Sequence, residues 1–399
     1  MLAVAVGHWM AIAISADAEG RISGGNALEH DPSMAWISWI LQVMPLFFVV
    51  GGFSSAMSLD SHQATNGRPQ DWVAARLRRM LAPAIVLAAT WLILIAGGYL
   101  VGQGATIAAG AAAAAIPLWF LSNYTIDTAI APWVLPRFRS NPRRFTLVAV
   151  SAFMGLEALR FAGVAVLPHL NWVLGWLLFQ VAGFAWRDGL LPTGRPLALI
   201  AAALWSATIA AVVIGPYPVS MVNFPNLVHS PTNPPTLALL LFGAAYSATA
   251  ILAAPVVSGF LTRSRRAWAA VVAANSFAVS VYLWHMTAAV AASAVFYLFR
   301  ALPTAAVGTN DWWLQKLPLL ALSLVFLTGI VAVVSRVERT ALLAPRAPWQ
   351  GGPASMLVSA AVVSASIKLW AGGDIVGIAL GCACLVTIWM VRIKAGKGI

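Results

Sequence analysis

Residues 80–101 read MLAPAIVLAATWLILIAGGYLV, 22 residues without a charged side chain. At 1.5 Å per residue a helix over this stretch is about 33 Å long, enough to cross the ~30 Å hydrocarbon core of a bilayer. Directly before it stands Arg76-Leu77-Arg78-Arg79. An apolar run of bilayer length with basic residues at one end is the signature of a membrane helix anchored at its cytoplasmic side.

The pattern recurs along the chain. Apolar runs fall near 1–16, 34–58, 80–101, 116–136, 145–167, 169–187, 197–215, 235–257, 269–298, 314–335, 354–370 and 374–391. Hydrophobic residues make up 61% of the 399 and charged residues 9%, with a mean hydropathy of +0.84. Soluble domains carry about 25% charged residues, so there is too little charge here to cover a water-facing surface. A membrane barrel would instead alternate apolar and polar residues in segments of about 10. The expected fold is therefore all-α: a polytopic helical membrane protein with a ten-helix core over 1–340. A cytoplasmic linker follows at 341–353, then an additional helix pair and basic tail over 354–399.

The net charge of +12 could suggest nucleic acid, but the basic residues fall in short clusters between apolar runs. With the N-terminus in the cytoplasm, 19 of the 24 Lys and Arg lie inside, and the reverse orientation inverts that ratio. The expected location is the inner (plasma) membrane, with multiple passes. The outer segments differ in character. Residues 17–33 are acidic and small, and 216–234 carry five prolines, three asparagines and His229 without Lys or Arg. They read as rigid polar connections or as an outer lid over an acceptor site. Cys382 and Cys384, separated by a single residue in the last run, read as small apolar fillers, and no metal-ligand spacing occurs. The first run lacks the basic start and small-residue exit of a cleavable signal peptide.

Three constellations could carry chemistry. His8 is the only ionisable side chain in MLAVAVGHWMAIAIS, and lipid penalises idle polar groups. A neutral imidazole can take a proton from an attacking hydroxyl and return it; the bland alternative is a buried histidine bonded to a helix carbonyl. Arg76 and Arg79, three apart, share a helical face and could grip phosphates with Arg78 beside them, although spacing alone equally suits a positive-inside anchor. Ser280-Val281-Tyr282-Leu283-Trp284-His285, preceded by Asn275 and Ser276, brings Tyr282 and His285 near one face. Interhelical hydrogen bonding would also explain such residues. Smaller signals are Trp119, Asn123, Tyr124 and Asp127, with Gln42 and Gln180. Glu157 and Arg160 suit a structural ion pair.

Taken in order, VGHW at 6–9, MPLFFVVGGF at 44–53, RLRRMLAP at 76–83, PLWFLSNY at 117–124 and VYLWH at 281–285 resemble the acyltransferase type 3 family. The likeness runs over roughly residues 1–340 and has the flavour of the family's actinobacterial branch. It implies an integral-membrane O-acyltransferase with no permanently bound cofactor. The donor would be cytoplasmic acyl-CoA, such as acetyl-CoA. The acceptor would be a hydroxyl on a glycan, a glycolipid, a macrolide sugar or another envelope or secondary-metabolite molecule. Membrane lipids are expected partners and nucleic acid is not. The family's catalytic first-helix histidine falls on His8, its donor-binding Arg-x-x-Arg pair on Arg76 and Arg79, and its late histidine on His285.

On chemistry, Tyr282, His285 and Asn275 are candidates for supporting the developing oxyanion, and Trp119, Asn123, Tyr124, Asn275 and Ser280 for lining the substrate. The family typically places an arginine eleven residues before the first-helix histidine, which here would precede Met1, and the first run is short for a full span. Both features lead to the expectation of further residues ahead of Met1. The rival class is a proton-coupled secondary transporter or lipid flippase using the two histidines as relay groups. It would want broken helices, a repeat and midplane acids, for which Asp127 and Glu157 are the only candidates.

Overall fold

The computed structural model describes residues 1–16, 22–227, 229–343 and 352–371. The expected last helix over 374–391, with Cys382 and Cys384, and most of the 341–353 linker lie outside the described residues. The chain begins with α1 (Leu2–Ala11), the strands β1 (Ile12–Ala16) and β2 (Ile22–Asn26), and α2 (Ala27–His30). A 3-10 turn at Pro32–Ile37 leads through α3 (Ser38–Leu41) into α4 (Met44–Ala64), α5 (Pro69–Leu100), α6 (Gly104–Ala115) and α7 (Leu118–Ser140). Next come α8 (Pro142–Phe161), a 3-10 turn at Leu167–Leu170, α9 (Asn171–Arg187), α10 (Arg195–Val213) and α11 (Leu237–Arg263). The chain closes with α12 (Arg265–Ser276), α13 (Ala278–Leu298), α14 (Asn310–Leu343) and α15 (Pro353–Ala371).

Among the described residues six helical segments are long and apolar enough to cross a bilayer, and seven if the bent α6–α7 pair is one span. The protein is a polytopic helical membrane protein. Three features depart from a plain series of helices. The first apolar run is helical only to Ala11. Ile12–Ala16 turn into a strand paired antiparallel with Ile22–Asn26, Ile12 opposite Asn26 and Ala16 opposite Ile22. Alternating β-branched residues at Ile12 and Ile14 suit a strand, and Ala13 buries against Ala27 and Trp312. The run at 269–298 is two helices, parted at Phe277, which separates Asn275 and Ser276 from the Tyr282–His285 turn. The run at 116–136 is preceded by the alanine-rich α6, which meets α7 at 47° around Pro117, a residue with no N–H to continue a helix.

The chain forms two compact units. The first holds Met1–Asp31, Gln70–Ala129 and the chain from Ala274 onward. In it α13 packs on α1, α6 and α14. The second holds Pro32–Pro69 and Ile130–Ala273, built on α4 against α9 and α10 against α11. Glycines let α4 and α9 touch backbone to backbone. A Cβ on Gly52 would stand 2.0 Å from the Gln180 carbonyl oxygen, and one on Gly183 2.0 Å from that of Val49. Small residues of this kind are how membrane helices approach closely where burial in lipid supplies no drive.

Within the second unit Arg139 forks onto two carboxylates, 2.7 Å from Asp60 and 2.7 Å from Asp188. Glu157 and Arg160 form the expected pair at 3.8 Å, and they also fasten the proline-rich connection. Glu157 Oε1 accepts from the Tyr217 hydroxyl at 2.9 Å and from the Leu237 amide at 3.3 Å, while Arg160 donates to the Ser230 carbonyl. Burial first, then the Glu157 charge, hold the Tyr217 phenol above its ordinary pKa, so it stays a donor.

Candidate active site

His8 sits on α1 and His285 on α13, 277 residues apart in the chain, and their rings meet edge to edge. His8 Nδ1 lies 2.8 Å from His285 Nε2, the ring centroids are 5.0 Å apart and the planes differ by 3°. A centroid separation of that size together with so short an N···N distance places the hydrogen bond in the plane of both rings. The pair is a linear imidazole–imidazole contact, with no overlap of ring faces.

The neighbours determine which nitrogen carries each proton. His285 Nδ1 is 2.6 Å from the Tyr282 carbonyl oxygen, which can only accept, so Nδ1 carries the hydrogen. In the neutral ring Nε2 then holds the lone pair and accepts from His8 Nδ1–H. The remaining nitrogen, His8 Nε2, is left with its lone pair and makes no hydrogen bond among the described residues. His8 is half-buried, whereas His285 is fully buried. The arrangement therefore aims one basic nitrogen away from a chain of fixed donors and acceptors.

Three further contacts hold this chain in place. Trp9 Nε1 donates to the His285 carbonyl at 2.9 Å, tying α1 to α13 one residue from His8. The Tyr282 hydroxyl donates to the Pro117 carbonyl, tying α13 to the bend before α7. Glu338 on α14 is 4% exposed and accepts from both neighbours of the His285 turn: Oε1 from Trp284 Nε1 at 3.0 Å, Oε2 from the Ser280 hydroxyl. The end of α1 is held from α14 as well. Lys316 Nζ donates to the carbonyls of Met10 and Ile12, and stands 4.2 Å from the centre of the Trp312 ring. The last carbonyls of a helix lack intrahelical partners and carry partial negative charge, so an ammonium there satisfies both needs.

The other candidates divide. Arg76 packs its guanidinium 4.9 Å from the centre of the Trp72 ring and lies within electrostatic range of Tyr124. Arg78 is half-buried and Arg79 exposed. On α7, Asn123 and Asp127 are fully buried, while Trp119 and Tyr124 are half-buried. Ser280 is buried against Glu338. Tyr282 and His285 spend their donor hydrogens on backbone carbonyls, so in this arrangement neither has one left for an oxyanion. Asn275 is exposed on α12, ten residues before His285 and on the other side of the break at Phe277. Gln42 donates to the Met221 carbonyl at 2.9 Å, and neither amide atom of Gln180 is bonded among the described residues.

Trp9, Lys316 and Glu338 are absent from the sequence-based candidates. Glu338 lies between Arg336 and Arg339, where it passes for part of a cytoplasmic charge cluster. The signal that could have found it is an acid at the end of an otherwise apolar run, which lipid tolerates only when paired. Among the described residues no group of His, Cys, Asp and Glu has the arrangement of a metal site.

In comparisons with known proteins, a family model described as an acyltransferase domain matches residues 1–337. No curated protein and no solved structure matches the chain.

Proposed function

The chain belongs to the acyltransferase type 3 family and is a membrane acyltransferase; from that premise we propose that it moves a short acyl group, such as acetyl, from cytoplasmic acyl-CoA to a hydroxyl. The acceptor class is a sugar, a glycolipid or another envelope or secondary-metabolite molecule. The observation that carries this reading is the His8–His285 hydrogen bond and the tautomers it imposes, which leave His8 Nε2 as the one free base of the pair.

His8 Nε2 takes the acceptor's hydroxyl proton as its oxygen attacks the thioester carbonyl carbon. The C–O bond forms and a tetrahedral oxyanion develops. On collapse the C–S bond breaks, and the proton on His8 passes to the departing CoA sulfur, giving the ester and free CoA. While His8 is protonated, its Nδ1–H remains bonded to the His285 lone pair, so the positive charge is shared with a fixed acceptor. General base catalysis of this kind contributes typically 10²–10⁴-fold. His285 orients His8 much as the third member of a hydrolytic triad orients its histidine, with a neutral ring in place of a carboxylate. Arg76, with Arg79 and Arg78 near it, would hold the CoA phosphates. Charge-assisted bonds to phosphate are the strongest contacts that guanidiniums make.

The test is transfer by the purified chain in lipid nanodiscs, supplied with acetyl-CoA labelled in the acetyl group and a total glycan and lipid extract. Label appearing in an alkali-labile ester, together with stoichiometric free CoA, is the expected result. Label-free extract with no binding of acetyl-CoA by calorimetry rejects the reading.

A further inference from the structure

Within the first unit a line of side chains runs from the imidazole pair to Arg76. The His285 ring lies 6.0 Å from Tyr282, Tyr282 5.5 Å from Phe120, and Phe120 5.3 Å from Tyr124, which neighbours Arg76. Phe120, Asn123, Tyr124 and Asp127 occupy one face of α7 by their three- and four-residue spacing, and Thr128 borders that face.

On that face the polar atoms are in surplus. Asn123, Asp127 and Thr128 are all 0% exposed. Asn123 Nδ2 reaches Asp127 Oδ2 at 3.5 Å, the outer limit of a hydrogen bond. Asn123 Oδ1, Asp127 Oδ1 and Thr128 Oγ1 have no hydrogen-bond partner among the described residues. Their neighbours on the same helix are satisfied: Thr125 bonds the Leu121 carbonyl at 2.7 Å, and Ser122 meets the Ser364 hydroxyl at 2.6 Å. The surplus is therefore local. Buried polar groups are almost always paired, and three unpaired atoms within two turns of a membrane helix are costly unless something else bonds them.

We propose that Asn123, Asp127 and Thr128 recognise the amide-bearing arm of the CoA thioester, an inference that rests on the donor reading above. The pantetheine arm carries two secondary amides, each with one N–H and one carbonyl. The two unpaired acceptors, Asn123 Oδ1 and Asp127 Oδ1, take amide N–H groups, and the Thr128 hydroxyl donates to an amide carbonyl. Location favours the donor arm over acceptor hydroxyls of similar chemistry. A thioester whose phosphates sit at Arg76 reaches His8 along the line on which this face of α7 lies.

The test compares CoA with adenosine 3′,5′-bisphosphate, which keeps the adenosine, the 3′-phosphate and one of the two 5′-phosphates but lacks the arm, by calorimetry on the full chain in nanodiscs. Thr128→Val and Asn123→Leu are each expected to weaken CoA about tenfold, which is about 1.4 kcal/mol, with bisphosphate affinity unchanged. Asp127→Asn, which keeps an acceptor in the same place, is expected to lose less. Arg76→Glu is expected to lose both ligands. Unchanged CoA affinity in the Asn123→Leu, Thr128→Val double variant overturns the inference alone. A parallel fall of both ligands in Thr128→Val, the mildest substitution, also overturns it. A wild-type chain that binds neither ligand overturns the donor reading and this inference together.

Discussion

At the residue scale the proposal turns on which nitrogen of which imidazole is free. His8→Gln removes the base without changing much volume, and transfer is expected to fall by roughly 10²–10⁴-fold. His285→Leu keeps the base but deprives His8 Nδ1–H of its acceptor, so the tautomer is no longer held. Transfer should again fall, by less than in His8→Gln, while acetyl-CoA affinity measured by calorimetry stays within twofold in both variants. Loss of affinity in step with loss of transfer would mark a structural role for the histidines. Glu338→Leu leaves Trp284 Nε1 and the Ser280 hydroxyl unpaired in a buried site, at about 1–3 kcal/mol each. Glu338→Gln retains one acceptor and is expected to melt between wild type and Glu338→Leu in a detergent thermal-shift series. Of these residues the two histidines and Ser280 stood out in the sequence, Ser280 as a candidate for lining the substrate, and Glu338 did not. An acid between two arginines or a tryptophan next to a histidine acquires meaning only from what it touches.

Helices are held by short-range devices that act at particular crossings. The α4–α9 contact depends on Gly52 and Gly183, and Gly183→Val would drive a branched side chain into the Val49 carbonyl. We expect that variant to lose folded yield in size-exclusion profiles, with Gly183→Ala showing a milder loss. The Arg139 fork joins α4 to the end of α9 at a partly exposed position, and surface ion pairs contribute only about 0–1 kcal/mol each. Arg139→Lys is therefore expected to lower the melting temperature slightly and to leave transfer unchanged. The apolar runs gave the positions of most helices, because hydrophobic length is a local property. Hydropathy could not separate β1 from α1, since a strand and a helix made of alanine and isoleucine are equally apolar, nor α12 from α13, since the apolar run continues across the break at Phe277. The hairpin is decided by the strand pairing and by Trp312 packing on Ala13.

For the molecule as a whole, the charge pattern predicts the connections on each side of the membrane. After Cys382 and Cys384 are replaced by serine, Asn226→Cys should react with a membrane-impermeant maleimide in intact cells, and Arg265→Cys should react only after permeabilisation. The opposite pattern would invert the topology and move Arg76 away from the compartment that holds acyl-CoA. The same orientation gives the proposed reaction its direction, with donor phosphates at the basic side.

Read by itself, the sequence established a helical protein of many membrane spans and the expected placement of its basic ends. Those conclusions rest on apolar length and charge, which are additive along the chain and need no partner. The tertiary structure alone decided that His8 meets His285, that His285 hands its lone pair to His8, and that Tyr282 is a strut whose hydroxyl is already spent. It also left three polar atoms unpaired on one face of α7. A hydrogen bond is directional and only about 3 Å long, so no spacing in sequence can say which of two distant imidazoles will be held within reach of the other.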